Sequence, residues 1–353
     1  MLSHAHQHLA HTLSYNALKN PNAMSLPSFA THLEEIEAME NPDTIIDLAQ
    51  LRMSEAMNIV VPGQGEFALS PYSQRQLGNL TGIRFDRWFE NSSTAIKVMD
   101  MNNRFARATG LVKIRTYRAS DTGTQAAGVL RAFVSPSYQP ISDAYVAHLI
   151  LSALRRTEDE FPVMKAEITD TGTVYSIRIG QSFNLAVGEI FGTLQIINSG
   201  TGASSLRISL ALLRKVCSNG LCLPLGGNDA NLLTRRHQGQ VELQLWEKIS
   251  TRLVGIGEKL ARGVKTLDES RNILVTDPQQ EIENILRRAH LPKRLLEPLT
   301  KAFQKEPHFS AFGISQAITD AQTHQDLRLS LEDRLHLEDS AGAYLNSVAN
   351  PTM

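Results

Sequence analysis

The side chains with the most evident chemistry are cations gathered in two stretches. The first holds Arg104, Lys113, Arg115, Tyr117 and Arg118; the second holds Arg207, Arg214, Lys215, Arg235, Arg236 and Arg252. Guanidinium and ammonium groups neutralise phosphates and release their counterions, while a ring such as Tyr117 or Phe133 offers a face on which a base can stack. The charge around them is blocked. Residues 84–131 carry a net +5 and residues 204–265 a net +6, between acidic blocks of −5, −3 and −4. If the fold joins the two basic blocks, they form one positive surface that attracts a polyanion whatever its base sequence. The other reading of each block is a solvated face balanced by nearby acids, and Arg131 and Arg214 fit equally as buried arginines paired with carboxylates.

The remaining chemical groupings are weaker. His4, His6, His8 and His11 suit a divalent metal but sit at a chain end, which offers no rigid shell. Cys217 and Cys222 lack the spacing and the second pair of a structural zinc site, and read as buried thiols. Gly200-Thr201-Gly202 follows a strand pattern as a phosphate loop would, yet lacks the Lys-Ser/Thr ending. Glu158, Asp159 and Glu160, with Lys165 and Glu167 near, have the composition of a metal-dependent nuclease site but fall in a turn. Arg235-Arg236-His237 precedes the clearest helical pattern, where cations oppose the helix dipole unless an anion joins them. No catalytic residue, metal or cofactor is expected from these motifs.

The elements that must position these groups can be read from period and punctuation. Residues 1–30 are polar and His-rich, with the character of a poorly ordered terminus, and 31–58 read as helical, with Thr31 and Glu34 at capping-box spacing and a break at Asn41-Pro42. Ser70-Pro71 opens a short helix, and another follows near Phe85 and Phe89. Residues 112–118 alternate apolar and polar, a strand whose outward face carries Lys113 and Arg115. Strands are expected at 129–134, 163–169, 173–179, 189–197 and 206–213, with Asp143 capping a helix over 144–156. Trp246, Ile249, Leu253, Ile256 and Leu260 mark one continuous helix over 241–265 with a buried stripe, beside a basic stripe of Lys248, Arg252, Lys259 and Arg262. Helices then open at Asp277-Pro278 and at Pro292, where Pro298 interrupts, and a last one lies within 329–345. Short connections between successive strands predict an α+β fold: an antiparallel sheet packed against helices, with a helical C-terminal region. The expected division is an N-terminal extension (1–65), an α+β core (66–270) and a helical region (271–353).

The 353 residues have a formal charge of −1 and 42% hydrophobic composition, enough for a real core and too apolar for a disordered chain. No apolar run reaches membrane-spanning length, the first residues lack the pattern of a secretory signal, and two cysteines imply no disulfide framework, so a cytoplasmic protein is expected.

Five separated stretches carry a resemblance: FALSPYSQRQLGNLTGI (67–83), VLRAFVSPSYQPISD (129–143), NSGTGASSLRISLALLRKVCSNGL (198–221), LLTRRHQGQ (232–240) and AITDAQTHQDLRLSLEDRLHLEDSAGAYL (317–345). In that order they resemble a phage- and plasmid-encoded family of unknown function, leaving the N-terminal 65 residues uncovered. The most specific stretch surrounds Arg214, Cys217, Asn219 and Gly220. The strand-rich middle is more remotely similar to single-strand annealing recombinases. That resemblance implies a curved antiparallel sheet packed on a helix, assembly into a homo-oligomeric ring, and single-stranded DNA held in a positive groove without nucleotide. The expected function is therefore single-stranded DNA binding or annealing in recombination or replication. A protein-interaction or structural component of a phage or plasmid, and a metal-dependent nuclease, are the alternatives.

Overall fold

A computed structural model of the chain describes residues 14–16, 24–83, 92–118, 127–154, 161–214, 221–225, 231–239, 242–305, 307–321, 329 and 331–349. Its strands fall into two sheets. The smaller sheet has six strands in the order β2-β6-β7-β5-β4-β3: β2 (Thr44–Asp47), β3 (Arg52–Met53), β4 (Ile59–Val61), β5 (Gly65–Leu69), β6 (Leu111–Arg118) and β7 (Gly128–Val134). All pairs are antiparallel except β5 with β7. The larger has seven: β1 (Ser14–Asn16), β8 (Val163–Ile168), β9 (Thr173–Leu185), β10 (Gly188–Asn198), β11 (Leu206–Arg214) and β12 (Leu221–Pro224) in sequence order, with β13 (Asn231–Arg235) also on β11. The helices are α1 (Leu26–Glu37), α2 (Pro71–Thr81), α3 (Thr94–Arg107), α4 (Asp143–Leu154), α5 (Glu242–Arg252), α6 (Ile256–Glu269), α7 (Pro278–Arg288), α8 (Leu296–Lys305), α9 (Ala311–Ala321) and α10 (Leu331–Ala349). The class is α+β with a helical C-terminal region, and no described helix is long and apolar enough to cross a membrane.

Each sheet has its own apolar core. Phe67, Leu77, Met101, Phe105, Ile114 and Leu130 fill the small one, under α2 and α3. The large sheet packs one face, carrying Tyr175, Ile177, Leu194, Ile196 and Ile208, into a core that includes α1, α4, α5 and α6. Tyr175 meets Phe29 of α1 with ring centroids 4.9 Å apart. The C-terminal helices join this core through Ile285, Leu299, Ile314, Leu337 and Tyr344. Between the two cores lies a small cluster of Ala132, Val134 and Tyr138.

Several local expectations change. Within 31–58, read above as helical, 44–47 and 52–53 are strands β2 and β3 of the small sheet, with β4 just beyond. Helix α1 is capped by Ser25, with Pro27 in its first turn, so Thr31 lies mid-helix and donates back to the Pro27 carbonyl. Ser70 and Pro71 do open α2, and Gly82 ends it at φ +69°. The helical pattern over 241–265 is two helices, because Gly255 turns left-handed (φ +72°) between α5 and α6. Within α5, Leu245 and Ile249 provide the buried side, and Trp246 is 48% exposed. Pro298 lies within the first turn of α8, where a missing N–H costs nothing, and so does not interrupt it. The segment around Phe85 and Phe89, the N-terminal histidines, Cys217 and the 158–160 acids fall outside the described residues.

Candidate functional site

The strand period of 112–118 holds, but the side assigned to solvent is inside. Val112 and Ile114 enter the small core; Lys113 and Arg115 face the large sheet and are 7% and 5% exposed. Lys113 Nζ donates to the Tyr138 carbonyl. Arg115 donates from Nη2 to Glu40 (2.5 Å), from Nε to Asp43 (3.0 Å) and from Nη1 to the Gly200 carbonyl. Burial pulls the Arg115 pKa down, and Glu40 and Asp43 more than offset it. Arg131 is the extra residue of a β-bulge opposite Arg115 and Thr116; it donates to Glu40 and lies 4.0 Å over the Tyr117 ring. Burial raises the Tyr117 hydroxyl to about 12. A period of two fixes which side chains share a face, but not whether that face meets water or another part of the protein. Here it meets the turn after β10, so neither Lys113 nor Arg115 forms an open phosphate contact.

A cavity of about 130 Å³ opens beside this network, lined by Glu37, Glu40, Arg131, Asp143 and Thr173 among others. Asp143 does not cap α4. Its carboxylate accepts from Asn198 Nδ2 and Thr173 Oγ1, both at 2.8 Å, while Glu37 receives the Ala144 N–H and Ser142 the Tyr145 N–H. Burial lifts Asp143 to about 6, against the hydrogen bonds from Asn198 and Thr173. Glu37, Glu40 and Asp143 outnumber Arg115 and Arg131 in this lining, which disfavours a phosphate there. Among the described residues no group of three His, Cys, Asp or Glu is placed to hold a metal ion.

The same hairpin turns form a second, larger cleft of about 490 Å³ on their other side. Its walls come from α2 (Tyr72, Arg75), the turns at 171–172 and 203–205, β11 (Arg207), β13 (Thr234) and α10 (His336, Asp339). The walls at α2 and the turns are fixed. The Tyr72 N–H donates to Asp170 (2.9 Å), tying α2 to the first turn, and Ser199 and Thr201 hydroxyls both donate to the Thr171 carbonyl. Tyr138 donates to the Ser199 carbonyl and stacks on His237, their centroids 5.0 Å apart. Burial lowers the His237 pKa to about 4. Arg75, one helical turn after Tyr72, places its guanidinium 5.6 Å from that ring. Arg207 and Thr234 are paired across β11 and β13, and Arg207 meets Asp339 at 2.5 Å. The cleft thus combines two guanidiniums, a ring, an imidazole and the hydroxyls of Thr171, Ser204, Ser205 and Thr234.

The other expected contacts are dispersed. Arg104 pairs with Asp100 (3.1 Å) and holds the Thr81 carbonyl at the end of α2. Arg118 is exposed and donates to the Ala38 carbonyl. Arg214 lies seven residues along β11 from Arg207, roughly 23 Å at strand rise and on the opposite face; it donates to the Val187 carbonyl and sits 5.3 Å from the Phe312 ring. Arg235 ends β13, well before a helix start, and Arg236 follows it exposed. Arg252 is exposed at the end of α5, and Lys215 lies outside the described residues. Tyr72, Arg75, Thr234 and Asp339 had no functional reading in the sequence. Only the one-turn spacing of Tyr72 and Arg75 signalled a joint surface. Comparison with models of known protein families, with curated proteins and with solved structures finds no match.

Proposed function

We propose that the chain binds single-stranded DNA through the cleft between α2, the hairpin turns, β13 and α10. One observation carries the reading: Arg75 and Arg207 share a cleft with an aromatic ring and four hydroxyls, the mixture that grips a phosphate backbone and stacks a base. Arg235 and Arg236 directly follow Thr234 of that wall in the chain and are the further phosphate contacts proposed. The buried cations have a different part: Arg115, held by Glu40 and Asp43, fixes through the Gly200 carbonyl the turn that the cleft is built on, and Lys113 holds the Tyr138 carbonyl. The resemblance noted above extends the reading to a nucleotide-independent homo-oligomer in the cytoplasm of a bacterial host, which light scattering with and without oligonucleotide checks.

The test is fluorescence anisotropy of a labelled 30-mer oligo-dT across a salt series. Contact by Arg75, Arg207, Arg235 and Arg236 predicts a slope of log affinity on log salt near −3, at about 0.7 per phosphate neutralised on a single strand. Arg75→Ala should weaken binding and shrink that slope by about 0.7. Affinity independent of salt, or equal in the Arg75→Ala protein, rejects the cleft as the binding site.

A further inference from the structure

The large sheet is covered on both faces, and the two covers differ in kind. On the first face helices pack through a continuous apolar core. On the second, only Met164, Phe191, Ala211 and Leu213 form an apolar cluster. Apart from Ile197 and Val174, the rest of that face is polar, and α10 meets it through charged side chains. Arg334 pairs with Glu167; Glu338 accepts from Gln195 Nε2 (2.9 Å) and faces Lys165 Nζ at 3.7 Å; Asp339 meets Arg207 at 2.5 Å. The apolar side of α10, with Leu337, Ala341 and Tyr344, points into the helical region instead.

Docking of this kind is weakly held. A buried ion pair recovers in attraction little more than it loses in hydration. Glu338 is only 5% exposed, and burial pushes its pKa up, so its charge is held there at a cost. The Arg207–Asp339 pair is more open, with side chains 27% and 35% exposed, and both residues line the cleft. A partly exposed pair is screened by water and weakly held, so an incoming anion meets little resistance there. Asp339 holds the guanidinium as a phosphate oxygen would, by a charge-assisted hydrogen bond from Nη1.

We propose that α10 is a built-in competitor for the cleft: Asp339, supported by Glu338, occupies Arg207 in the free protein, and a DNA phosphate displaces it and loosens α10 from the sheet. This rests on the proposed binding of single-stranded DNA in the cleft and adds its regulation. Displacement frees Gln195, on the strand next to Arg207, and Lys165, two strands beyond it, and so widens the polar surface open to the DNA. It also makes affinity depend on any anion or partner that draws α10 away.

Two measurements test it. First, Asp339→Asn keeps size and polarity but removes the charge, and should raise affinity for 30-mer oligo-dT about five- to tenfold, the gain vanishing in an Arg207→Ala background. Second, hydrogen–deuterium exchange of the unmodified protein should rise across 331–349 when the oligonucleotide binds; this reading does not depend on any variant folding. Unchanged or weaker binding by Asp339→Asn, or slower exchange across 331–349, overturns the competitor role. If Arg75→Ala and Arg207→Ala bind as well as the unmodified protein, the cleft itself is at fault. If those two lose affinity while Asp339→Asn gains none, binding in the cleft stands and only the role of α10 falls.

Discussion

Glu40 is the most sensitive single residue in the junction between the two sheets. Its carboxylate receives both Arg115 and Arg131, whose side chains are 6% and 9% exposed. In Glu40→Gln, Arg115 keeps Asp43 and the Gly200 carbonyl. Arg131 keeps the face of Tyr117, an interaction worth up to about 2 kcal/mol when desolvated, and the longer-range charge of Asp143. Removing one partner of a buried pair costs about 3–5 kcal/mol, and because Glu40 is itself a quarter exposed the low end, ~3 kcal/mol, applies. The loss arises chiefly from the stranded Arg131 charge. Arg131→Met should therefore cost far less in the Glu40→Gln background than alone, with a coupling energy of about 1.5 kcal/mol or more. Urea unfolding of the four proteins, followed by circular dichroism, measures it. A Glu40→Gln cost below about 1 kcal/mol, or additivity of the two changes within about 0.5 kcal/mol, refutes the account of the junction.

Other consequences follow from the same region. Asp143 has its folded pKa raised from 3.8 to about 6, so its contribution is fully present below pH 4 and is lost as pH rises through 6. Asp143→Asn, which cannot ionise, should flatten that part of the pH profile of stability, gaining on the unmodified protein above pH 6 by an amount on the order of 2 kcal/mol; parallel profiles for the two proteins would show that burial of Asp143 carries no such cost. His237 acts in the opposite sense: held near 4, it stabilises above its ordinary value of 6.5 and withdraws that support as pH falls toward 4, so its replacement by Phe should reduce acid sensitivity in the same titrations. Gly172→Ala would press a methyl group into the Asn198 carbonyl and Ser199. It should destabilise by about 1–3 kcal/mol, the usual cost of overpacking, and weaken oligonucleotide binding with it because the turn forms the cleft wall; unchanged thermal unfolding would mean that the turn yields freely.

What the sequence made legible was local. Ser70-Pro71 encodes a helix start in two residues, and the alternations at 112–118 and 206–213 encode strands because a pleat places every second side chain together. What it concealed was the neighbour of each face. Glu40 is 75 residues from Arg115 and 91 from Arg131, and no period links them. Alternation with Lys and Arg signals a solvated face and a buried ionic face alike. Gly255 was legible as a residue, but the apolar spacing from Trp246 to Leu260 ran through it, and only the left-handed backbone shows that the stripe is two shorter ones. Arg207 and Arg235 were identified by charge. Their partition, one into the cleft beside Asp339 and one onto the end of β13, depends on the pairing of β11 with β13 and on a helix more than 100 residues later.

Cross-linking reads the position of the bound strand directly. A single-stranded oligonucleotide carrying 5-bromodeoxyuridine, irradiated on the protein and followed by peptide mapping, should give adducts on the peptides containing Tyr72 and Ser204–Ser205, lost on Arg75→Ala together with Arg207→Ala. Adducts confined to the exposed surface around Trp246 and Arg252, unaffected by those substitutions, would contradict binding in the cleft.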